Sequence, residues 1–148
     1  MIRDATLADL DAALELERAC YPPHQAYARA EYRYALGVAK AVNLALVEDG
    51  RMTGFAGAFR HATRRVGHVY TVNVHPSQRG RGLGVRLMEA LHDRLRATGM
   101  RRMVLEVNVE NDPAMRLYER CGYRRAGLLK GYYSQYRVND AWRYERDL

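Results

Sequence analysis

The stretch that most restricts this chain is Gln78-Arg79-Gly80-Arg81-Gly82-Leu83-Gly84, set between two segments of different periodicity. Before it, Gly67 to Val74 carries β-branched Val69, Thr71, Val72 and Val74, as a strand does, and Pro76 ends that strand. After it, Leu83, Leu87, Met88, Leu91 and Leu95 recur at helical spacing to about Ala97, and Gly99 is a stop signal. A strand passing through a glycine-rich turn into an amphipathic helix must lay that helix back on a sheet. The same turn makes an anion site. Helix N-termini expose unpaired N–H groups with partial positive charge, and glycines let an anion touch the backbone. Arg79 and Arg81 add formal charge. Two familiar phosphate motifs are excluded. A GxGxxG run from Gly80 or Gly82 would need glycine at Val85 or Leu87, and no Lys-Ser or Lys-Thr follows the last glycine.

The rest of the chain supplies the sheet and its cover. Met1 to Arg3 begins a short strand, and Leu7 to Cys20 has helical spacing with Thr6 as its N-cap. Cys20 to His24, with Pro22-Pro23, reads as a loop, and Tyr27 to Leu36 as a second helix. Asn43 to Glu48 and Met52 to Arg60 are strands joined by Asp49-Gly50, a hairpin signal. Met103 to Val107 is a strand, and Asp112 to Cys121 a helix with Pro113 in its first turn and Gly122 as its stop. Strands around Tyr123 to Leu129 and Ala141 to Glu145 close the chain. This order predicts one α/β (α+β) domain over residues 1–148. Its sheet is mixed and mostly antiparallel, and its helices lie on both faces.

With 148 residues, 48% of them hydrophobic and 28% charged, the composition is that of a soluble globule. No run approaches the roughly 20 apolar residues of a membrane span, so no membrane role is expected. The acidic, polar start Met1-Ile2-Arg3-Asp4 lacks a secretion signal, and Cys20 and Cys121 read as two small buried residues of a cytoplasmic protein. The formal charge of +7 comes almost wholly from arginine, Lys40 and Lys130 being the only lysines. Such a surplus attracts polyanions, and on charge alone CoA, RNA and a ribosomal surface all stay open. His24, His61, His68, His75 and His92 have no metal-ligand spacing, so no metal is expected, and His92 is placed on the outside of its helix.

Two spaced patterns then narrow the reading. Arg79-x-x-Gly82-x-Gly84 is followed by Asn111-x-x-Ala114-Met115-x-Leu117-Tyr118-x-x-x-Gly122-Tyr123. From about Gly67 to Leu129 the chain resembles the GNAT acetyltransferases. Within them it is most similar to the ribosomal-protein alanine acetyltransferases and related N-terminal acetyltransferases, through Leu105-Glu106-Val107 with Asn111 and Tyr118, and through Tyr132-Tyr133. The resemblance implies a GNAT-like fold whose strands part between Val74 and Met103 and are splayed at an acetyl-CoA site, acetyl-CoA being the cosubstrate. It implies that main-chain groups of Val72, Asn73 and Val74 pair with the pantetheine arm. Gly80, Arg81, Gly82, Leu83, Gly84 and Val85, with Arg79 nearby, hold the pyrophosphate, and Asn111 bonds the cofactor near its thiol. Glu106 is the implied base and Tyr118 the implied acid, with Tyr21, Tyr132 and Tyr133 around the acceptor.

The residue types suit that chemistry. Glu106 sits among apolar Met103, Val104, Leu105 and Val107, where burial is expected to raise its pKa toward the range of a general base. Tyr118 shares a helix face with Ala114, Leu117 and Cys121, and a phenol can protonate a departing thiolate. The expected reaction is acetylation of an α-amine on a protein or peptide. A small-molecule amine is the alternative acceptor. A non-catalytic RNA- or ribosome-binding module is the alternative of another kind, disfavoured because RNA platforms use lysines interleaved with exposed aromatics. The oligomeric state is open, a homodimer included.

Overall fold

The computed structural model describes residues 1–132 and 140–148. β1 (Ile2–Asp4) leads into Thr6, whose hydroxyl accepts from the Ala8 N–H while the Asp9 carboxylate accepts from the Thr6 N–H. This capping box closes a 3₁₀ turn, Leu7–Asp9, that runs into α1 (Leu10–Cys20), with α2 (Arg29–Gly37) following. β2 (Ala41–Glu48) and β3 (Arg51–His61) form a hairpin in which Asp49 and Gly50 take φ of 50° and 75°, the pair of positive angles a two-residue turn requires. β4 (Val66–Val74), α3 (Leu83–Ala97), β5 (Arg102–Asn108), α4 (Asp112–Arg120), β6 (Arg124–Leu129) and β7 (Ala141–Asp147) complete the described chain. The strands form one sheet in the order β1-β2-β3-β4-β5-β7-β6, antiparallel except between β4 and β5.

Strand alternation sends side chains to two cores. Leu44, Leu46, Ala56 and Ala58 meet Leu83, Leu87, Met88, Leu91 and Leu95 of α3 on one face. Phe55 points the other way, into Leu10, Ala13, Leu14, Leu16 and Tyr32 of α1 and α2. Each fully buried leucine contributes about 1.5–3 kcal/mol of transfer free energy, which is what holds these helices on the sheet. Cys121 is buried as expected, whereas Cys20 is only half-buried.

The sheet is interrupted where the resemblance implied the parting. β4 and β5 pair in only three positions, Val66 with Arg102, Gly67 with Met103 and His68 with Val104. Just beyond, β4 carries a bulge against β3, with Tyr70 as the extra residue. From there to Val74 the β5-facing edge of β4 lines a gap. Asn73 lies opposite Phe55, and the His75 N–H bonds the Thr53 carbonyl at 2.8 Å, so the main-chain groups of Asn73 are turned toward β3. Those of Val72 and Val74, one step out of phase, are turned toward the gap.

His92 corrects the sequence reading. It is 2% exposed, not on the outside of α3. Arg146 donates to its Nδ1 at 2.9 Å, so Nε2 carries the hydrogen and gives it to the Tyr123 hydroxyl oxygen at 2.7 Å. Burial, with the nearby Arg146 and Arg96 charges, lowers its pKa from the usual 6.5 to about 4. Between those values the unfolded chain holds a proton that the folded chain does not. The stability His92 contributes is therefore intact above pH 6.5 and lost as pH falls toward 4. The loss totals about 3 kcal/mol at 1.36 kcal/mol per unit. Denaturant titrations at neutral and mildly acidic pH are expected to show that loss, and His92→Gln to show a flatter pH dependence.

Candidate active site

The glycine turn leaves β4 through a short 3₁₀ turn, Pro76–Gln78, capped by His75, whose Nδ1 accepts from the Ser77 N–H. Gly80 and Gly82 have φ of 82° and 73°, and nothing lies within 4 Å of where a Cβ would stand on either. The left-handed angles explain why glycine is needed; the open space leaves room for an anion to reach the backbone. Gly82 caps α3, and the Arg86 N–H is already bonded to the Gly82 carbonyl at 3.1 Å. Leu83, Gly84 and Val85 form the first turn, whose N–H groups have no intrahelical acceptor. These features fit the pyrophosphate of acetyl-CoA. The arginines contribute less directly than their charge suggests. Arg81 is forked onto Glu48 at 2.9 and 3.1 Å and also donates to Gln78, and Arg79 donates through Nε to the Val74 carbonyl at 3.2 Å.

Asn111 is the N-cap of α4. Its Oδ1 accepts from the Ala114 N–H at 3.3 Å, so its side chain is partly committed to starting the helix. Asn73 is 2% exposed, and its amide donates to Glu17 at 2.7 Å and to the Tyr32 hydroxyl at 3.3 Å. With its main chain turned to β3, Asn73 anchors the strand, and only Val72 and Val74 of the three expected residues turn polar groups into the gap.

Glu106 stands on β5 directly opposite Arg143 of β7. Its Oε1 receives His68 Nε2 at 2.5 Å and the Tyr132 hydroxyl at 2.9 Å, and its Oε2 receives Arg143 at 3.3 Å. Burial raises the pKa of this carboxyl, as the sequence suggested, but the bonds from His68 and Tyr132 and the nearby Arg143 charge outweigh it. The net direction is down, which reverses the expectation. Glu106 is thus an ionised acceptor at neutral pH. His68 and Arg143 are members of the site that the sequence reading did not single out.

Tyr118 is buried on α4, its ring edge-on to Tyr123 at 5.9 Å and Tyr144 at 6.4 Å. Tyr21 caps the end of α1. Burial pushes its hydroxyl pKa up, and neighbouring Tyr118, Glu17, Cys20 and Tyr27 push it further. Tyr27 closes the circuit, donating to the Tyr70 carbonyl on the gap edge at 3.0 Å and lying near enough to raise Tyr132 as well. Of the residues expected for catalysis and the acceptor, the structure joins Glu106 and Tyr132 directly. Tyr133 lies outside the described residues. Among the described residues no group of three or more His, Cys, Asp or Glu side chains is placed to hold a metal ion, and no helix is long and apolar enough to cross a membrane.

A splayed β4–β5 pair with a glycine turn at its end is the framework of an acyl-CoA site, and comparison with known proteins agrees. Residues 10–123 match the model of the acetyltransferase (GNAT) family, and the chain belongs to that family. It is 32% identical over 146 residues to the N-alpha-acetyltransferase RimI of Mycobacterium tuberculosis, covering 96% of this chain and 89% of that protein. The crystal structure of the ribosomal-protein-S18-alanine N-acetyltransferase from Escherichia coli superposes with a TM-score of 0.89 at 26% identity, over 99% of this chain and 92% of that one. A GNAT-like decarboxylase, GphF, in complex with isobutyryl-CoA shares the fold with a TM-score of 0.86 at 20% identity over 99% of this chain and 98% of that one. The protein is an N-acetyltransferase that uses acetyl-CoA as its donor.

The φ of 73° at Gly82 changes what a bulky substitution there will do. Gly82→Val is expected to weaken acetyl-CoA binding by crowding the turn. It is also expected to cost about 1–3 kcal/mol of stability, because a β-branched residue is strained at that angle. Calorimetric titration and denaturant unfolding of the same preparation separate the two effects.

Proposed function

We propose that this enzyme acetylates the α-amine at the N-terminus of a protein or peptide. The observation that carries the reading is the Tyr132 hydroxyl seated on Glu106, which joins the tyrosine segment after β6 to the carboxylate on β5. The relatives named for N-terminal acetylation support it.

Bound acetyl-CoA supplies an activated acetyl thioester; the chain's own groups do the rest. The backbone from Gly80 to Val85 holds the pyrophosphate, the main chain of Val72 and Val74 lies along the pantetheine arm, and the Asn111 amide steadies the thiol end. The Glu106 centre draws the proton from the incoming ammonium. Tyr118 protonates the departing sulfur, and Tyr21 and Tyr132 frame the acceptor.

The electrostatics favour an α-amine. With pKa values of about 7.7–8.0 for an α-amine and about 10.4 for lysine, the neutral form at pH 7 costs about 1 kcal/mol and about 4–5 kcal/mol respectively. Glu106 is already bonded to His68 and Arg143. The other acid near Tyr21, Glu17, is taken up by Tyr32, Asn73 and the Tyr27 N–H, so neither carboxylate is free to help strip a proton from lysine.

An acetylation screen offering N-terminal peptides, lysine peptides and small amines side by side, read by fragment mass spectra, tests the acceptor. Label on α-amines is expected. Label on lysine or on small amines alone overturns the peptide assignment. For the chemistry, Tyr118→Phe and Glu106→Gln are each expected to lower turnover by about 10²–10⁴ with little change in acetyl-CoA affinity. Near-normal turnover per folded molecule would remove the residue concerned from the mechanism.

A further inference from the structure

The carboxylate at the centre of the acceptor site is the less accessible half of its own pair. Only 5% of the Glu106 side chain is exposed, against 33% for His68. Both Glu106 oxygens already accept hydrogen bonds, Oε1 from His68 and Tyr132 and Oε2 from Arg143. Three of its roughly four lone-pair sites are used, and a proton added there would weaken the bonds that the ionised carboxylate accepts.

His68 is placed the other way round. An ionised carboxylate has no hydrogen to give, so the hydrogen in the 2.5 Å contact belongs to His68 Nε2. A neutral imidazole protonated at Nε2 keeps its lone pair on Nδ1, and among the described residues Nδ1 has no partner. His68 is also the last residue of β4 paired with β5, so it stands where the strands begin to part. Among the described residues the titratable and charged groups around it are Glu106 on β5, Arg143 on β7, Tyr132 after β6, and His61 on β3 with its ring 6.4 Å away. Glu106 is the one acid of this set, and it lies against the nitrogen that needs no further proton.

We propose that Nδ1 of His68, with the ring oriented by Glu106, is the atom that takes the proton from the acceptor ammonium. This rests on the acetyl-transfer reading above and names the base within it. The ammonium gives one proton to Nδ1, and the imidazolium formed is paired with the Glu106 carboxylate. The freed amine forms its C–N bond to the acetyl carbon as the C–S bond breaks. Tyr118 gives its proton to the sulfur and is restored by the second proton leaving the nitrogen. His68 releases the first proton to solvent, so one proton is liberated per acetyl group transferred.

Variants at His68 separate proton transfer from positioning. Glutamine can donate to Glu106 through its amide but cannot accept a proton. His68→Gln is expected to lose about 10²–10⁴-fold in kcat/KM on the acceptor that the wild type modifies, with acetyl-CoA affinity unchanged by calorimetry. That deficit is expected to shrink at alkaline pH, where the acceptor amine is already neutral. Added imidazole is expected to restore turnover to folded His68→Gly in a concentration-dependent way and to leave Glu106→Gln unrescued. Activity of His68→Gln within a few-fold of wild type, or no rescue of His68→Gly, overturns the proposal. Nitrogen-15 NMR of the protein without acetyl-CoA reads the same point apart from turnover. A neutral His68 ring protonated at Nε2 with Nδ1 bare is expected, and the opposite tautomer overturns the proposal whichever amine proves to be the acceptor. Failure of the wild type on every peptide N-terminus, with a small amine modified instead, overturns the peptide reading alone, and the same variants are then assayed on that amine.

Discussion

Two parallel strands that bond for three residues and then separate leave backbone groups that something else must satisfy. An unpaired amide shut away from water costs about as much as a lost hydrogen bond, so a split of this kind is stable only if its edge is served from outside the sheet. On β4 the protein serves part of it. The Tyr70 carbonyl accepts from Tyr27, and the Val74 carbonyl accepts from Arg79 and from Cys20. Val72 lies between these two occupied carbonyls, at the depth of the gap where an extended ligand arm can add its own amides as though it were a strand. The glycine turn follows directly from the end of that edge, so one excursion of the chain provides for both the arm and its anionic end.

A second buried acid ties the segment between α1 and α2 to β4. Glu17 is 1% exposed and accepts from the Tyr32 hydroxyl at 2.6 Å, the Asn73 amide at 2.7 Å and the Tyr27 N–H at 3.0 Å. Those donors come from α2, from β4 and from the segment between the two helices. A buried charge with several strong donors is costly to disturb, because removing one partner leaves the carboxylate underpaired. Glu17 therefore fixes where Tyr27 begins its reach to the gap, and the loop carrying Tyr21 and Tyr27 is tied to the same strand that lines the cofactor side.

What could be read in advance was what depends on neighbours in the chain. The Gly80 to Gly84 turn, the Asp49-Gly50 hairpin and the Thr6 cap are local conformational requirements, and each appears where its residues stand. The parting of the strands was legible only through the family resemblance. His68 and Glu106 are 38 residues apart, and their contact depends on the register of a parallel pair. No residue-by-residue pattern encodes that register, so the burial of Glu106 was legible while the donors that reverse its pKa were not. His92 failed for the same reason. It borders the apolar stripe of α3 beside Leu91 and Leu95, and its partners Tyr123 and Arg146 arrive from 31 and 54 residues further on.

The third glycine of the turn has a different neighbour from the other two. A Cβ on Gly84 would stand 3.2 Å from Cδ1 and 3.3 Å from Cδ2 of Leu117, the residue before Tyr118 on α4. The first turn of α3 and the helix bearing the phenol touch at this point with no slack. The two positions amount to a single choice: a larger residue at 84 obliges a smaller one at 117, or α4 tilts and carries Tyr118 with it. Across related chains these two sites are expected to vary as a pair, small against large, and a library that randomises either one alone will sample mostly misaligned versions of the other.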